Sequence, residues 1–154
     1  MRIAARLAAE PFDPARELES FVAQAAGAGA VVSFVGLARA HDRAGGAVAR
    51  LFLDHHPRLT EPSLARIGAA VARRGDLLAL CIVHRCGSIA PGEPIVFVAA
   101  AAAHRRAAFQ AADEAMDRLK TDAMFWKRED AVDGAAWIEP SEGDRADRAR
   151  WSDK

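Results

Sequence analysis

Two lysines seven residues apart are the strongest candidates for chemistry in this sequence. Lys120 ends a predicted helix, and Lys127 lies in the strand predicted after it. If the chain doubles back between them, their ammonium groups converge and each charge lowers the pKa of the other, as does partial burial beside Phe125 and Trp126. Such lysines donate or accept protons, or act as nucleophiles. The spacing also fits two surface lysines whose aliphatic stems lie along aromatic rings.

A second cationic group, His104-Arg105-Arg106, stands where the same helix is predicted to begin. Free N–H groups and the dipole make this end of a helix positive, so further positive side chains destabilise it unless an anion binds there. The triplet therefore favours a phosphate or carboxylate site. Three solvated side chains are the alternative interpretation.

Other chemical signals are weaker. Arg39 lies in a polar, glycine-containing loop, residues 39–46, of the kind that often carries function. His55-His56 is predicted to point to opposite faces of a strand, so no metal site is predicted. Cys81 and Cys86 lack the spacing of a zinc site or a disulfide framework, and they are interpreted as free thiols in a reducing compartment.

Composition limits the function classes. The 154 residues fit one domain, and the 21 basic and 21 acidic residues balance, so net charge does not attract the chain to nucleic acid or membranes. Any anion site must therefore come from a local cluster. The sequence shows no signal-peptide pattern and no apolar run of the roughly 18 residues that a membrane span needs. These features predict a cytoplasmic protein.

Three helices and a largely antiparallel sheet are predicted to position these residues. Asp13-Pro14 begins the first helix, Thr60 caps the second, and the third runs from residue 103 to 120 with an apolar stripe that includes Phe109. The strands are predicted at residues 3–7, 30–36, 51–55, 77–84, 94–102, 125–129 and 136–139. Asp133-Gly134 predicts a hairpin between the last two strands, which favours a single α+β domain over a doubly wound parallel sheet.

Ordered blocks along the chain resemble the catalytic (large) subunit of molybdopterin synthase. The most specific block is Leu119-Lys120-Thr121 followed by residues 125–129, Phe-Trp-Lys-Arg-Glu. The other blocks, in family order, are residues 29–36 with Arg39 and His41, 53–57 with Thr60-Glu61, 83–85 with Gly87, 91–93 before 95–98, and 103–105. The resemblance implies an α/β-hammerhead-like catalytic domain over residues 1–140. Residues 141–154 are mostly charged and are predicted to form a loosely held tail.

The resemblance implies a sulfur-transfer reaction. The family converts cyclic pyranopterin monophosphate into molybdopterin by adding two sulfur atoms as a dithiolene, and no cofactor is expected. The sulfur arrives as a thiocarboxylate on the C-terminal Gly-Gly of a small ubiquitin-like partner. The large subunits form a homodimer with one small subunit on each, which makes a heterotetramer. An external sulfur source agrees with the lack of an activated cysteine in this sequence.

Carried over to the matching positions, the resemblance implies that Lys120 and Lys127 are the catalytic pair. Lys120 is expected beside the thiocarboxylate, and Lys127 is expected to assist the pterin chemistry. The implied substrate-binding residues are Leu37, Ala38, Arg39, His104, Arg105, Arg128 and Glu129. The two lysines are predicted to face the cationic start of the third helix.

Three positions depart from the family pattern. Met124 stands where proline is usual, Asp122 where a basic residue is common, and Asp42 where asparagine is common. The lost proline frees the backbone before Phe125, and the aspartates reduce the positive charge if they face the pocket. These departures motivate an alternative, a catalytically impaired homologue that binds the partner as a scaffold. The third interpretation is an unrelated enzyme for a phosphate ligand on a similar fold.

Overall fold

The computed structural model describes residues 1–42, 44–73, 75–131 and 134–151. The helices in these residues are α1 (Pro14–Gln24), α2 (Thr60–Ala72), α3 (Arg105–Thr121) and α4 (Glu142–Ala149). The strands are β1 (Arg2–Ala8), β2 (Ala30–Leu37), β3 (Val48–His55), β4 (Leu77–Arg85), β5 (Gly87–Ile89), β6 (Pro94–Ala102), β7 (Phe125–Ala131) and β8 (Gly134–Ile138). None of the helices in the described part of the chain is both long and apolar enough to cross a membrane.

The strands form two four-stranded sheets. The first has the order β1-β4-β6-β2, in which β1 and β4 are parallel and the other pairs are antiparallel. The second has the order β5-β3-β7-β8 and is antiparallel throughout. The predicted α+β class with largely antiparallel strands is confirmed. β7 pairs with β8 as predicted from the turn at Asp133-Gly134, although Asp133 itself lies outside the described residues.

β6 lies inside the first sheet and is buried on both faces. Its even-numbered residues from Val96 to Ala102 pack in the cluster that contains the apolar faces of α2 and α3. Its odd-numbered residues from Phe97 to Ala101 pack in the cluster that contains Phe21 of α1. A strand covered on both sides reads as a continuous apolar run, as residues 95–102 do. This packing fixes α3 along one face of the sheet.

Helix caps were predicted at the starts of α1 and α2. The Asp13 carboxylate accepts the N–H of Ala15 at 2.9 Å, so the predicted cap of α1 is confirmed. The predicted cap of α2 is wrong by one residue, because Thr60 is the first helical residue and Leu59 is the N-cap. The Thr60 hydroxyl instead accepts the N–H of His56 at 2.8 Å and donates to the carbonyl of Met124 at 2.7 Å. The Thr60 side chain, which the local pattern assigned to capping, therefore makes a tertiary contact instead.

The prediction of a loosely held tail is wrong for residues 141–151. Ser141 and Asp144 form a capping box at the start of α4. The helix lies against α3, and Trp151 just beyond it donates its indole N–H to Asp117 of α3 at 2.6 Å. α4 has no buried residue among those described, so it lacks the apolar stripe by which a sequence pattern reveals a packed helix.

A buried histidine makes the stability of this fold sensitive to acid. The ring of His84 stacks on Phe125 with 4.3 Å between ring centroids, and its Nδ1–H donates to the carbonyl of Arg85 at 2.8 Å. Burial lowers the pKa of His84 from 6.5 to about 4, and the backbone hydrogen bond opposes this only in part. As the pH falls, His84 therefore becomes protonated near pH 6.5 in the unfolded chain but only near pH 4 in the folded chain.

We expect the free energy of unfolding to fall by about 2.5 kcal/mol from this group as the pH decreases from about 7.5 to about 4.5. The contribution is complete above pH 6.5 and is lost as the pH falls toward the folded-state pKa of about 4. Urea denaturation at several pH values measures it. His84→Gln should flatten this part of the profile, whereas exchange of the exposed His41 for Gln should leave it unchanged. Equal profiles for both variants would contradict the assignment to His84.

Candidate active site

Lys120 and Lys127 lie on either side of the short connection between α3 and β7. Lys120 is in the last turn of α3, and Lys127 is the third residue of β7. Each amine faces a carboxylate: Lys120 Nζ donates to Asp144 Oδ1 at 2.8 Å, and Lys127 Nζ lies 3.6 Å from Glu129 Oε1. Both side chains remain accessible, with 55% and 41% of their surfaces exposed. Residues 122–124 connect the two elements that carry the lysines, and the convergence of the two amines stays a prediction.

Residues of α2 fix the connection between the two lysines. The N–H of Met124 donates to Ser63 Oγ at 3.2 Å, and the carbonyl of Met124 accepts the Thr60 hydroxyl at 2.7 Å. Proline could not donate the first of these bonds, because it has no N–H. Met124 therefore replaces the ring constraint with a hydrogen bond from its N–H, and the backbone before Phe125 is held rather than freed.

The two unexpected aspartates also have defined partners. Asp122 Oδ2 accepts Arg148 Nε at 2.7 Å and lies 3.7 Å from Arg118 Nη1, so arginines offset its charge. Asp42 Oδ1 accepts the N–H groups of Ala44 and Gly46 at 2.8 Å each and shapes the turn within the polar loop. Neither contact indicates that these carboxylates oppose the lysine pair.

Arg128 lies on the opposite face of β7 from the lysine. Lys127 pairs with the buried Leu53 of β3, whereas Arg128 pairs with Phe52, because neighbouring residues of a strand point to opposite faces. The Arg128 guanidinium binds Asp130 through Nε at 2.7 Å and covers the Phe52 ring at 4.9 Å. The structure therefore does not bring Arg128 together with Lys127, while Glu129 shares the face of Lys127 and is its partner.

The predicted loop residues follow β2 directly. Leu37 is exposed at the end of this strand, and Arg39 is exposed two residues later. Ala38 between them is buried, donates its N–H to the carbonyl of Glu93 at 2.9 Å and accepts the N–H of Gly92 at 2.8 Å. The turn at residues 90–93 thus anchors the start of the loop and presents Arg39 to solvent.

The cationic triplet lines an open depression at the start of α3. The depression has a volume of about 610 Å³ and is lined by His104, Arg105, Arg106, Phe109 and Gln110. Phe109 is 61% exposed, so its predicted place in the apolar stripe of α3 is wrong. The stripe runs through Ala108, Ala112 and Leu119 without it. Helical spacing alone assigned Phe109 to the core, whereas its ring is exposed beside two arginines.

Within one chain the depression lies far from Lys120. Arg105 and Lys120 are fifteen residues apart in a single helix, which at 1.5 Å per residue separates their backbones by about 22 Å along its axis. The prediction that the lysines face the start of the same helix is therefore wrong within one subunit. The residues implied for one substrate therefore do not all come together within one chain.

The two cysteines have unactivated thiols. Cys86 is buried and Cys81 is half-buried, and both are free. Burial raises the pKa of both thiols, and for Cys81 the negative charge of Glu17 adds to this effect. A raised pKa disfavours the thiolate, which is the nucleophilic form.

Comparison with known proteins decides the family. A family model described as MoaE protein matches residues 7–122. The chain belongs to the MoaE family. The molybdopterin synthase catalytic subunit of Pseudomonas aeruginosa is 47% identical over 151 residues, which cover 98% of this chain and 100% of that protein. This identity extends through α4, beyond the segment that the family model matches.

Solved structures of MoaE-like proteins share the fold. Molybdopterin cofactor biosynthesis protein E from Burkholderia multivorans has a TM-score of 0.81 and 37% identity, with 100% of this chain and 99% of that chain covered. Molybdopterin synthase from Staphylococcus aureus has a TM-score of 0.77 and 27% identity, with 87% and 96% covered. The resemblance to molybdopterin synthase catalytic subunits, drawn from ordered sequence blocks, is confirmed, as is the enzyme class that it implies.

Proposed function

We propose that this chain transfers sulfur from the C-terminal thiocarboxylate of a small ubiquitin-like subunit to cyclic pyranopterin monophosphate, which yields the molybdopterin dithiolene. The observation that carries the proposal is the pair Lys120 and Lys127, which flank a short connection that α2 fixes through Met124. Its chemistry suits a family whose members are named catalytic subunits of molybdopterin synthase. The catalytic domain spans residues 1–140, and the reaction takes place in the cytoplasm.

The two lysines stabilise different negative charges in the proposed reaction. Lys120, the more exposed amine, meets the incoming thiocarboxylate, polarises it and handles a proton as sulfur leaves. Lys127 lies in β7, between β3 and β8, and offsets the negative charge that develops when the cyclic phosphate opens. Arg39 is exposed at the end of β2 and provides a further cation for the phosphate.

A second copy of the chain completes the site. Since about 22 Å of helix separates Arg105 from Lys120, one substrate cannot reach both within a subunit. In a two-fold symmetric dimer a contact between two different patches occurs twice, so the start of α3 in each subunit can face the lysine pair of the other. His104 and Arg105 then hold the substrate phosphate for the partner's lysines, and the homodimer carries two equivalent sites.

A single assay tests the proposed function. Purified protein is mixed with cyclic pyranopterin monophosphate and a thiocarboxylated small subunit, and molybdopterin is measured after conversion to a fluorescent pterin. We expect product in proportion to the thiocarboxylate consumed, with two sulfur atoms used per pterin. Binding of the small subunit without product would instead support the scaffold alternative, and affinity for phosphate compounds without any response to the small subunit would support the third interpretation.

A further inference from the structure

The C-terminal helix α4 is fastened to α3 by a set of charged contacts. Lys120 binds Asp144 at 2.8 Å, Asp122 binds Arg148 at 2.7 Å, and Asp117 accepts both Arg150 at 2.8 Å and the Trp151 indole at 2.6 Å. These contacts run along the last turns of α3, where Lys120 lies. We call residues 141–151 the clasp.

The Asp144 carboxylate occupies the position of an anion on Lys120. Its side chain is 13% exposed, and it also accepts the N–H of Ser141 at 2.8 Å and the Ser141 hydroxyl at 2.6 Å. The hydrogen bond from Lys120, followed by the bond from Ser141, holds the pKa of Asp144 far below its usual range. The group is therefore a carboxylate at neutral pH, and it offsets the charge of Lys120 at hydrogen-bond distance.

We propose that the clasp is an autoinhibitory element whose Asp144 competes for Lys120 with the anionic tail of the small subunit. This inference rests on the proposed role of Lys120. A carboxylate and a thiocarboxylate have the same charge and similar shape, so one ammonium group cannot hold both in the same place. The clasp must open, at least around Asp144, before the tail reaches the amine.

The composition of the clasp suits an element that opens. None of the described residues of α4 is buried, and the half-buried Trp151 is the one large apolar side chain of the clasp, so its release exposes little apolar surface. Partly exposed ion pairs contribute little stability individually, and they exchange readily for pairs with another anion. Regions held in this way open at lower free energy than the core, and the clasp is therefore the first part of this fold expected to detach.

Asp144→Asn tests the competition directly. We expect the KM for the thiocarboxylated small subunit to fall by roughly threefold to tenfold, with kcat within about twofold of wild type, because the substrate no longer displaces a charged group. Asp147→Asn is the matched control: it removes a carboxylate from the same helix that pairs with Arg150 and not with α3, and it should leave KM unchanged. Arg148→Gln, which breaks the contact with Asp122, should lower KM by a smaller factor.

A fluorescence titration tests the clasp without catalysis. The protein contains three tryptophans, and exchange of the exposed Trp126 and Trp137 for Phe leaves Trp151 as the only reporter. We expect a synthetic peptide that ends in a Gly-Gly carboxylate to change the emission of Trp151 as its bond to Asp117 breaks. In the Asp144→Asn background the peptide should bind more tightly.

The two readouts separate this inference from the proposed function. Absence of product from the wild-type protein would count against the sulfur-transfer reaction, while the peptide titration would still report on the clasp. Peptide binding that leaves Trp151 emission unchanged and is equally tight in wild type and Asp144→Asn would overturn the inference. An equal fall in KM for Asp147→Asn would do the same, since it would point to the net charge of α4 rather than to the contact with Lys120.

Discussion

Lys120→Ala is expected to lower the rate of molybdopterin formation by on the order of 10³-fold while the fold persists, since general acid–base and electrostatic groups each contribute about 10²–10⁴. The lysine is more than half exposed and its stem fills no core position, so the free energy of unfolding should change by about 1 kcal/mol at most. The rate is measured with saturating thiocarboxylated small subunit, and thermal unfolding checks the fold.

Two further variants identify what the lysine contributes. Lys120→Arg keeps a positive charge and the contact with Asp144, but its guanidinium does not release a proton at neutral pH. We expect this variant to bind the small subunit and remain slow. Asp144→Asn breaks the same ion pair with the lysine retained, so it controls for loosening of the clasp. Near-normal product from Lys120→Ala would remove Lys120 from the mechanism, and full activity of Lys120→Arg would leave it a purely electrostatic role.

Local patterns in the sequence predicted most of the fold. The run at residues 94–102, with its two buried faces, and the Asp13 cap each express a local rule that tertiary packing did not override. α4 was not predicted, because charged contacts rather than an apolar stripe hold it. Such contacts depend on which charged helix lies nearby. The exposure of Phe109 was not predicted either. Helical spacing assigns an aromatic residue to the core, and here the ring lines a depression instead.

The residues of the candidate site stay a prediction. Residue type and ordered blocks identified the lysines, the Arg39 loop and the cationic triplet. Their predicted placement around one substrate within a single subunit was wrong, and the length of the predicted helix already argues against it. A predicted helix from residue 103 to 120 is about 25 Å long at 1.5 Å per residue, so groups at its two ends cannot share a small ligand. Helix length is thus a direct test of any site proposed across one element.

Mixed dimers provide the test of a site shared between two subunits. Lys120→Ala and Arg105→Ala subunits carry different affinity tags, and tandem purification isolates dimers with one subunit of each kind. Each variant alone should be strongly impaired, because one lacks the reacting amine and the other lacks a charge-assisted phosphate contact. In the mixed dimer one of the two sites combines an intact Lys120 with an intact Arg105 of the other subunit. We therefore expect about half of the wild-type activity per dimer, given two-fold symmetric sites.

A second mixed dimer controls for restoration by subunit exchange or refolding. Lys120 and Lys127 flank the same connection in one chain, so a dimer of Lys120→Ala and Lys127→Ala subunits leaves each site with one lysine missing. It should remain inactive under conditions in which the first mixed dimer recovers. If both stay inactive, the start of α3 does not serve the lysines of the other subunit, and the depression at Arg105 binds something other than the reacting substrate. Recovery in the first dimer alone requires that the start of α3 in one subunit and the end of α3 in the other act on one substrate.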